Sequence, residues 1–110
     1  MSFIEVAKAT EIPTGQMKPF STAGKEILIT NYEGKYFAID ARCTHMGGKL
    51  INGKLEGKIV TCPIHGARFD VTTGVSVSGP KLGPIKLKTR NVAAYEVKVE
   101  DNIVEVNINE

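Results

Sequence analysis

Alternating apolar and polar side chains mark the clearest pair of strands, near the C-terminal end of the chain. Residues 95–100 read Tyr-Glu-Val-Lys-Val-Glu, and residues 104–109 read Val-Glu-Val-Asn-Ile-Asn. A period of two places successive side chains on opposite faces of a strand. With Asp101 and Asn102 as the turn between them, the pattern predicts a hairpin whose strands each have one buried and one solvent-facing side.

The first forty residues hold further strand candidates joined by short turns. A short strand at Phe3 to Val6 comes first, and a single helical turn within Ala7 to Ile12 is stopped by Pro13 and Gly15. Glycine-containing turns at 23–24 and 33–34 divide the apolar runs that follow. The predicted strands are Lys18 to Thr22, Lys25 to Tyr32 and Lys35 to Asp40.

The residue types point to the same fold class as the alternation does. The chain has 11 Ile, 10 Val and 9 Thr, against 5 Leu and 8 Ala. Side chains branched at Cβ suit a pleated sheet better than a helix. The composition therefore predicts an all-β protein.

Length and continuity predict one domain with two kinds of segment. The 110 residues contain no low-complexity tract or long linker. Residues 42–90 differ from the rest, because they hold both cysteines, both histidines and most of the glycines and prolines. Their strand candidates, Lys58 to Thr61 and Arg68 to Val71, are short and separated by Gly-containing turns. Such a segment has little core of its own, so a bound cofactor would help to order it.

Charge and hydropathy exclude several classes of partner. Lys and Arg number 14 and Asp and Glu 12, and the net charge of +2 predicts neither a nucleic-acid partner nor an acidic membrane surface. The first residues show no export signal, and every apolar run is far shorter than the roughly 20 residues that cross a bilayer. We therefore expect a small, soluble, cytoplasmic protein.

All candidate soft metal ligands fall in two short loops. Cys43 and His45 form a C-x-H motif, and sixteen residues later Cys62 and His65 form a C-x-x-H motif. The chain contains no other cysteine or histidine. Thiolate together with imidazole indicates zinc, copper or iron–sulfur chemistry.

Three other interpretations compete with an iron–sulfur site. A disulfide would leave the paired histidines without a role, and chance core residues do not explain why a histidine follows each cysteine so closely. A structural zinc site is the serious rival, because two cysteines and two histidines complete a tetrahedral set. Zinc motifs usually pair like with like, however, whereas each loop here holds one ligand of each kind. Mixed loops favour an object with two metal centres.

On these motifs the sequence resembles the Rieske-type [2Fe–2S] ferredoxins, particularly the low-potential type associated with oxygenases, over essentially the whole chain. The resemblance implies one [2Fe–2S] cluster per chain and a single Rieske domain over 1–110. Its fold would be an antiparallel β-sandwich-like base, residues 1–41 and 91–110, with an inserted small cluster-binding subdomain of about residues 42–90.

The resemblance also assigns the ligands. Cys43 and Cys62 would bind the inner iron, and His45 and His65 the outer, solvent-facing iron. The proline-containing segment 78–84 would correspond to the loop that lies over the cluster in this family. Histidine in place of two cysteines makes the site less negative, which raises the potential above that of plant-type ferredoxins.

Within the family, the sequence resembles the low-potential members. High-potential members carry a second cysteine in each loop, and the matching positions here are Gly48 and Ile64, so that disulfide cannot form. Their Ser and Tyr hydroxyls, which donate hydrogen bonds to cluster sulfurs, correspond to Ala67 and Phe69. Without those donors we expect a potential near the low end of the Rieske range, about −150 mV.

The function implied is that of a one-electron carrier from a reductase to a terminal oxygenase or similar redox enzyme. We do not expect an enzyme, because no further histidine is left for a mononuclear iron site. We expect a monomer. The alternatives are a small Rieske-like subunit of a nitrite-reductase-type complex and a zinc-stabilised binding module.

Several residues beside the ligand loops have candidate supporting roles. Met46, Pro80 and Leu82 would form an apolar docking patch or would simply shield the cluster from water. Lys49 and Lys81 are candidates for steering an acidic partner, although a surface lysine is more often only solvated.

Other residues in and near the loops have a structural interpretation. Arg42, Arg68 and Asp70 fit salt-bridge support of the subdomain better than a redox role. Asp40 and Tyr36 have the pattern of ordinary strand residues.

Overall fold

A computed structural model describes residues 3–22, 24–42, 48–63, 66–78, 81–82, 85–86 and 90–108. Short 3₁₀ turns occur at Ala9–Glu11 and Leu50–Asn52. All other regular structure in these ranges is strand, and every strand pair is antiparallel. The strands are β1 Phe3–Lys8, β2 Met17–Thr22, β3 Lys25–Tyr32, β4 Lys35–Asp40, β5 Lys54–Glu56, β6 Ile59–Thr61, β7 Arg68–Asp70, β8 Ser76–Ser78, β9 Lys81–Leu82, β10 Ile85–Lys86, β11 Ala94–Tyr95, β12 Val97–Glu100 and β13 Ile103–Asn107.

The middle sheet has the order β11-β4-β3-β2. Its register runs without a break from Ile27 opposite Asp40 to Tyr32 opposite Lys35. The turn between β3 and β4 has positive φ at both Glu33 and Gly34, which is the geometry that a two-residue hairpin of the right twist needs. The predicted bounds of β3 and β4 are confirmed, and the predicted helical turn is the 3₁₀ turn after β1.

The outer sheet has the order β1-β13-β12 and contains the predicted C-terminal hairpin. Asp101 and Asn102 form its turn, both with positive φ. The prediction of a buried side on each strand is confirmed for β13 but not for β12, where Val99 is 44% exposed. Strand β12 is the edge of the sheet, so its apolar side chains are only partly covered.

The chain changes sheet at Glu96, within a segment whose alternation predicts a single strand. Tyr95 pairs with Ala38 in the middle sheet, whereas Val97 pairs with Val106 in the outer sheet. Tyr95 therefore connects the two sheets. A period-two pattern predicts extended backbone but not the strand it pairs with, so it does not show this change of partner.

The middle sheet is buried on both faces. Ile27 and Ile29 point into a core shared with Val104 and Val106 of the outer sheet. Leu28, between them, points into a second core. This three-layer arrangement explains why β3 contains the unbroken apolar run 27–29 rather than an alternation.

The third sheet, with the order β5-β6-β7-β8, supplies the other wall of the second core. Its strands have three residues each, with Lys54 opposite Thr61 and Thr61 opposite Arg68. The all-β fold class is confirmed. Within the described ranges, no helix has the length and apolarity needed to span a membrane.

Candidate metal centre

Only one of the four predicted ligands lies within the described residues. Cys62 follows β6 directly and is 1% exposed. Cys43, His45 and His65 lie outside the described residues, as do Met46 and Pro80, so the structure does not test their assigned roles. For Lys81 and Leu82 it gives the backbone alone.

The first ligand loop is closed at its foot by backbone pairing. Arg42 and Lys49 form an antiparallel bridge on either side of it. One residue further out, the Leu50 amide donates a 2.9 Å hydrogen bond to the Ala41 carbonyl. The segment that carries Cys43 and His45 therefore begins and ends at one fixed point.

The second ligand loop is closed in the same way. The Cys62 amide donates a 2.7 Å hydrogen bond to the Ala67 carbonyl, and β6 and β7 continue as a hairpin below it. Gly66 adopts a φ of +74°, which a residue with a side chain takes only at a cost. This glycine lets the chain turn back beside the loop that carries His65.

The feet of the two loops are packed into one core. Ala41 and Leu50 below the first loop share a cluster of buried side chains with Cys62 and Ala67 below the second. The ends of the two loops, distant in sequence, are thus brought together by packing. Cys62 fits a cluster ligand, because it lies where the loop ends meet and cysteine thiolates are the usual ligands of iron–sulfur clusters.

Two glycines allow close backbone approach under this site. A Cβ on Gly53 would overlap the Thr61 carbonyl oxygen in β6, next to Cys62. A Cβ on Gly74 would overlap the Val92 carbonyl oxygen, and the Val92 amide donates a 2.9 Å hydrogen bond to the Gly74 carbonyl. The Asn91 side-chain oxygen also accepts a bond from the Ser76 amide. These contacts fix the segment that returns to the middle sheet.

Asp40 ties the entry of the first loop to that returning segment. Its carboxylate accepts a 2.6 Å hydrogen bond from the Tyr95 hydroxyl and a 3.2 Å bond from the Ala93 amide. The Asp40 amide donates to the Ala93 carbonyl. The interpretation of Asp40 as an ordinary strand residue is therefore incomplete, because it fastens the chain three residues before Cys43.

Tyr36 also has a role that its position in the pattern does not show. Its hydroxyl donates to the Ala9 and Ile12 carbonyls, at 2.7 and 3.2 Å, and joins β4 to the 3₁₀ turn after β1. A tyrosine among apolar strand positions, whose hydroxyl needs a hydrogen-bond partner when the ring is partly buried, is the only signal that the sequence offers for this bond.

Ion pairs support the loops as predicted for Arg42 and Asp70. Arg42 donates to the Glu26 carboxylate at 2.6 Å, and this bond, together with the charge of the guanidinium, lowers the pKa of Glu26. Lys58 lies 3.5 Å from Asp70. Burial raises the pKa of Asp70, but hydrogen bonds from Thr72 and the charge of Lys58 outweigh it, and the pKa lies below its ordinary value.

Comparison with known proteins decides the family. The sequence profile described as Rieske [2Fe-2S] domain matches residues 2–97. The chain belongs to this Rieske family. It is 34% identical over 106 residues to the ferredoxin component of the naphthalene 1,2-dioxygenase system of Pseudomonas aeruginosa, which covers 96% of this chain and 95% of that protein.

Solved Rieske structures have the same fold. The ferredoxin of carbazole 1,9a-dioxygenase from Nocardioides aromaticivorans IC177 is 27% identical and superposes with a TM-score of 0.79, over 96% of this chain and 97% of that one. A chain of the complex of reduced oxygenase and oxidized ferredoxin in carbazole 1,9a-dioxygenase is 26% identical with a TM-score of 0.78, over 94% and 91% of the two chains. The Rieske family, its fold and its single [2Fe–2S] cluster are therefore confirmed for this protein.

Proposed function

We propose that this Rieske protein is a one-electron carrier that accepts an electron from a reductase and delivers it to a terminal oxygenase. The observation that carries the proposal is the end-to-end match, 96% against 95%, with the ferredoxin component of a dioxygenase system. A match of that extent pairs this chain with a component that carries electrons, rather than with one domain of a catalytic subunit. A bound [2Fe–2S] cluster supplies the one-electron chemistry.

The chain's own residues would hold the cluster and exclude water from it. Cys62 is buried at the end of the second loop, and Ala41 and Leu50, at the two ends of the first loop, share its core. The family resemblance assigns Cys43 and Cys62 to the inner iron and His45 and His65 to the outer iron. It also assigns residues 42–90 to a cluster-binding subdomain within a single domain, and the backbone closures at both loop feet support that assignment.

We expect the reduction potential to be low. Ala67 and Phe69 are both fully buried in the core that contains Cys62, and neither side chain has a hydroxyl. Hydrogen bonds to cluster sulfurs stabilise the added electron, so their absence lowers the potential. Replacement of Ala67 by serine is expected to raise the midpoint potential by tens of millivolts.

The control for that experiment is Ala38→Ser, in the other core. Ala38 is as well buried as Ala67, so both substitutions bury a hydroxyl and lower stability. Only Ala67→Ser is expected to shift the potential in a spectroscopic redox titration. An equal shift in both variants, or none in either, would contradict the proposed reason for the low potential.

The proposed function is tested by reconstituted electron transfer. Purified protein, reduced by NADH through a dioxygenase-system reductase, is expected to support product formation by the cognate oxygenase. The rate of product formation is expected to saturate as the concentration of this protein rises. A cluster-containing protein that is reduced but never passes its electron to an oxygenase would contradict it.

The monomeric state and the cytoplasmic location are proposed from the sequence, and gel filtration and cell fractionation test them.

A further inference from the structure

We propose that the cluster end of this protein is a cationic docking surface, and that its redox partners meet it with an acidic face. The proposal rests on the proposed electron-transfer function and adds the chemistry of the partner. The net charge of +2 conceals a strong separation of charge along the chain. Residues 42–90 carry nine Lys and Arg against two Asp and Glu, for +7, and the remaining residues carry five against ten, for −5.

Two of these cations stand at the feet of the ligand loops. Lys49 closes the first loop through its bridge with Arg42, and Arg68 follows Ala67 at the end of the second. Both side chains are exposed, and neither forms an ion pair with a carboxylate in the described part of the chain. They are therefore available to a partner that approaches the cluster.

Three carboxylates in or beside this segment form ion pairs, and a fourth, Asp40, accepts hydrogen bonds from the Tyr95 hydroxyl and the Ala93 amide. Glu26 pairs with Arg42, and at the β5–β6 hairpin Glu56 pairs with Lys54 and Asp70 with Lys58. These three pairs cancel locally. Among the described residues at the ends of the ligand loops, Lys49 and Arg68 are the cations that no carboxylate pairs with.

The opposite charge lies on the outer sheet and its turns. Exposed carboxylates occur at Glu5 and Asp101 of the outer sheet and at Glu96 beside it, and Glu100 pairs with Lys98. At 0.1 M salt the Debye length is about 10 Å, a fraction of the 49 Å length of the molecule, so only charges near a docking site act strongly on a partner. A partner docked at the ligand loops therefore responds to the local positive charge rather than to the net charge.

A protein partner fits this surface better than a nucleic acid does. The only aromatic residue in 42–90 is Phe69, and it is fully buried. Proteins that bind single strands stack exposed aromatic side chains on the bases, and none is available here. Carboxylates of a redox partner would pair with Lys49 and Arg68, the exposed cations at the ends of the ligand loops.

The test is the salt dependence of electron transfer to small charged oxidants that stand in for the partner. The dithionite-reduced protein gives one electron to hexacyanoferrate(III), which becomes hexacyanoferrate(II), or to hexaammineruthenium(III), which becomes the ruthenium(II) ion. Stopped-flow rates are measured at rising ionic strength. With the anion we expect a fall of about tenfold from low to high salt, and with the cation a rise.

Two variants of equal net charge separate local from global effects. Lys49→Glu with Arg68→Glu changes the cluster end, and Lys8→Glu with Lys35→Glu changes the far end; each pair takes the formal charge from +2 to −2. Lys35 begins β4, about 17 Å of strand before Asp40. Lys8 precedes Ala9, whose carbonyl accepts the Tyr36 hydroxyl at the same end. All four side chains are exposed.

We expect the first variant to lose most of the salt dependence and the second to keep it, with the visible spectrum of the cluster unchanged in both. Equal salt dependence in the two variants would overturn the proposal and leave the electron-transfer function standing. Tight binding of a short DNA duplex at 0.15 M salt would reassign the basic surface and also overturn it. A protein that binds no reducible cluster would overturn the proposed function, and this proposal with it.

Discussion

The middle and outer sheets pair over long strands, whereas the sheet below the ligand loops has short strands that rely on a shared core, loop closures and close backbone contacts. Strands β3 and β4 pair over six residues, and the core beneath them takes its members from both sheets. Strands β5 to β8 have three residues each and depend on a glycine that lies against Thr61. We therefore expect the first region, the middle and outer sheets, to fold from its own long pairings, and the second, β5 to β8, to depend on the cluster beside it.

The largest expected effect follows from removing Cys62, the one proposed ligand that the structure describes. Cys62→Ala should yield colourless protein without iron, since it removes a proposed thiolate ligand buried in the core. Amide hydrogen exchange should then rise steeply in β5 to β8 and remain slow in β3 and β4. The control is Val60→Ala in the same core, which should cost about 2 kcal/mol and keep the cluster. Equal loss of protection in all sheets would contradict the difference between the regions.

Close backbone contact predicts the next effect. Gly53→Ala should lower the free energy of unfolding by about 3 kcal/mol, because the new Cβ overlaps the Thr61 carbonyl and backbone cannot give way cheaply. Gly57→Ala meets no atom within 4 Å, and its positive φ should cost about 1 kcal/mol. Urea denaturation of both variants measures this difference. An equal loss of free energy of unfolding in the two variants would contradict the proposed effect of the Thr61 contact.

Two tyrosine hydroxyls test whether the link through Asp40 serves the site. Tyr95→Phe removes a bond to the Asp40 carboxylate and should cost about 2 kcal/mol, and Tyr36→Phe removes bonds to neutral carbonyls and should cost about 1 kcal/mol. Asp40 precedes the first loop, so only Tyr95→Phe should also alter the circular dichroism of the cluster in the visible range. Identical visible spectra in both variants would limit Asp40 to a structural role.

The smallest expected effect concerns pH. Because the pKa of Asp70 is lower in the folded protein than the ordinary value near 3.9, its stabilising effect is complete above about pH 4 and is lost as the pH falls further. Asp70→Asn should therefore flatten the acid limb of the stability profile measured by urea denaturation. Glu56→Gln, at an exposed and longer ion pair, is the control for removal of a carboxylate from this sheet. A limb that Asp70→Asn does not alter would contradict the assignment.

The sequence predicted the first region far better than the second. The bounds of β3 and β4 follow from Gly34 and Gly24, which end apolar runs at turns that demand positive φ. Strands β5 and β8 are too short to show a period. The change of sheet at Glu96 depends on which strand each segment meets, and no local pattern records that.

The site was predictable as chemistry and not as geometry. Two mixed Cys and His motifs predict the ligands by residue type, and the burial of Cys62 agrees with that prediction. The hydrogen bond between Asp40 and Tyr95 joins residues 55 positions apart in the sequence, and no local sequence pattern predicts it. The charge separation was present in the sequence, but a net charge of +2 hides it.

We propose that this protein binds a histidine-ligated two-iron cluster that carries one electron. Electron paramagnetic resonance of anaerobically purified protein, before and after dithionite reduction, tests it most directly. We predict silence in the oxidised sample and, after reduction, a rhombic signal with a mean g below the free-electron value. Silence in both states, with zinc in place of iron and no signal after reconstitution with iron and sulfide, would contradict it.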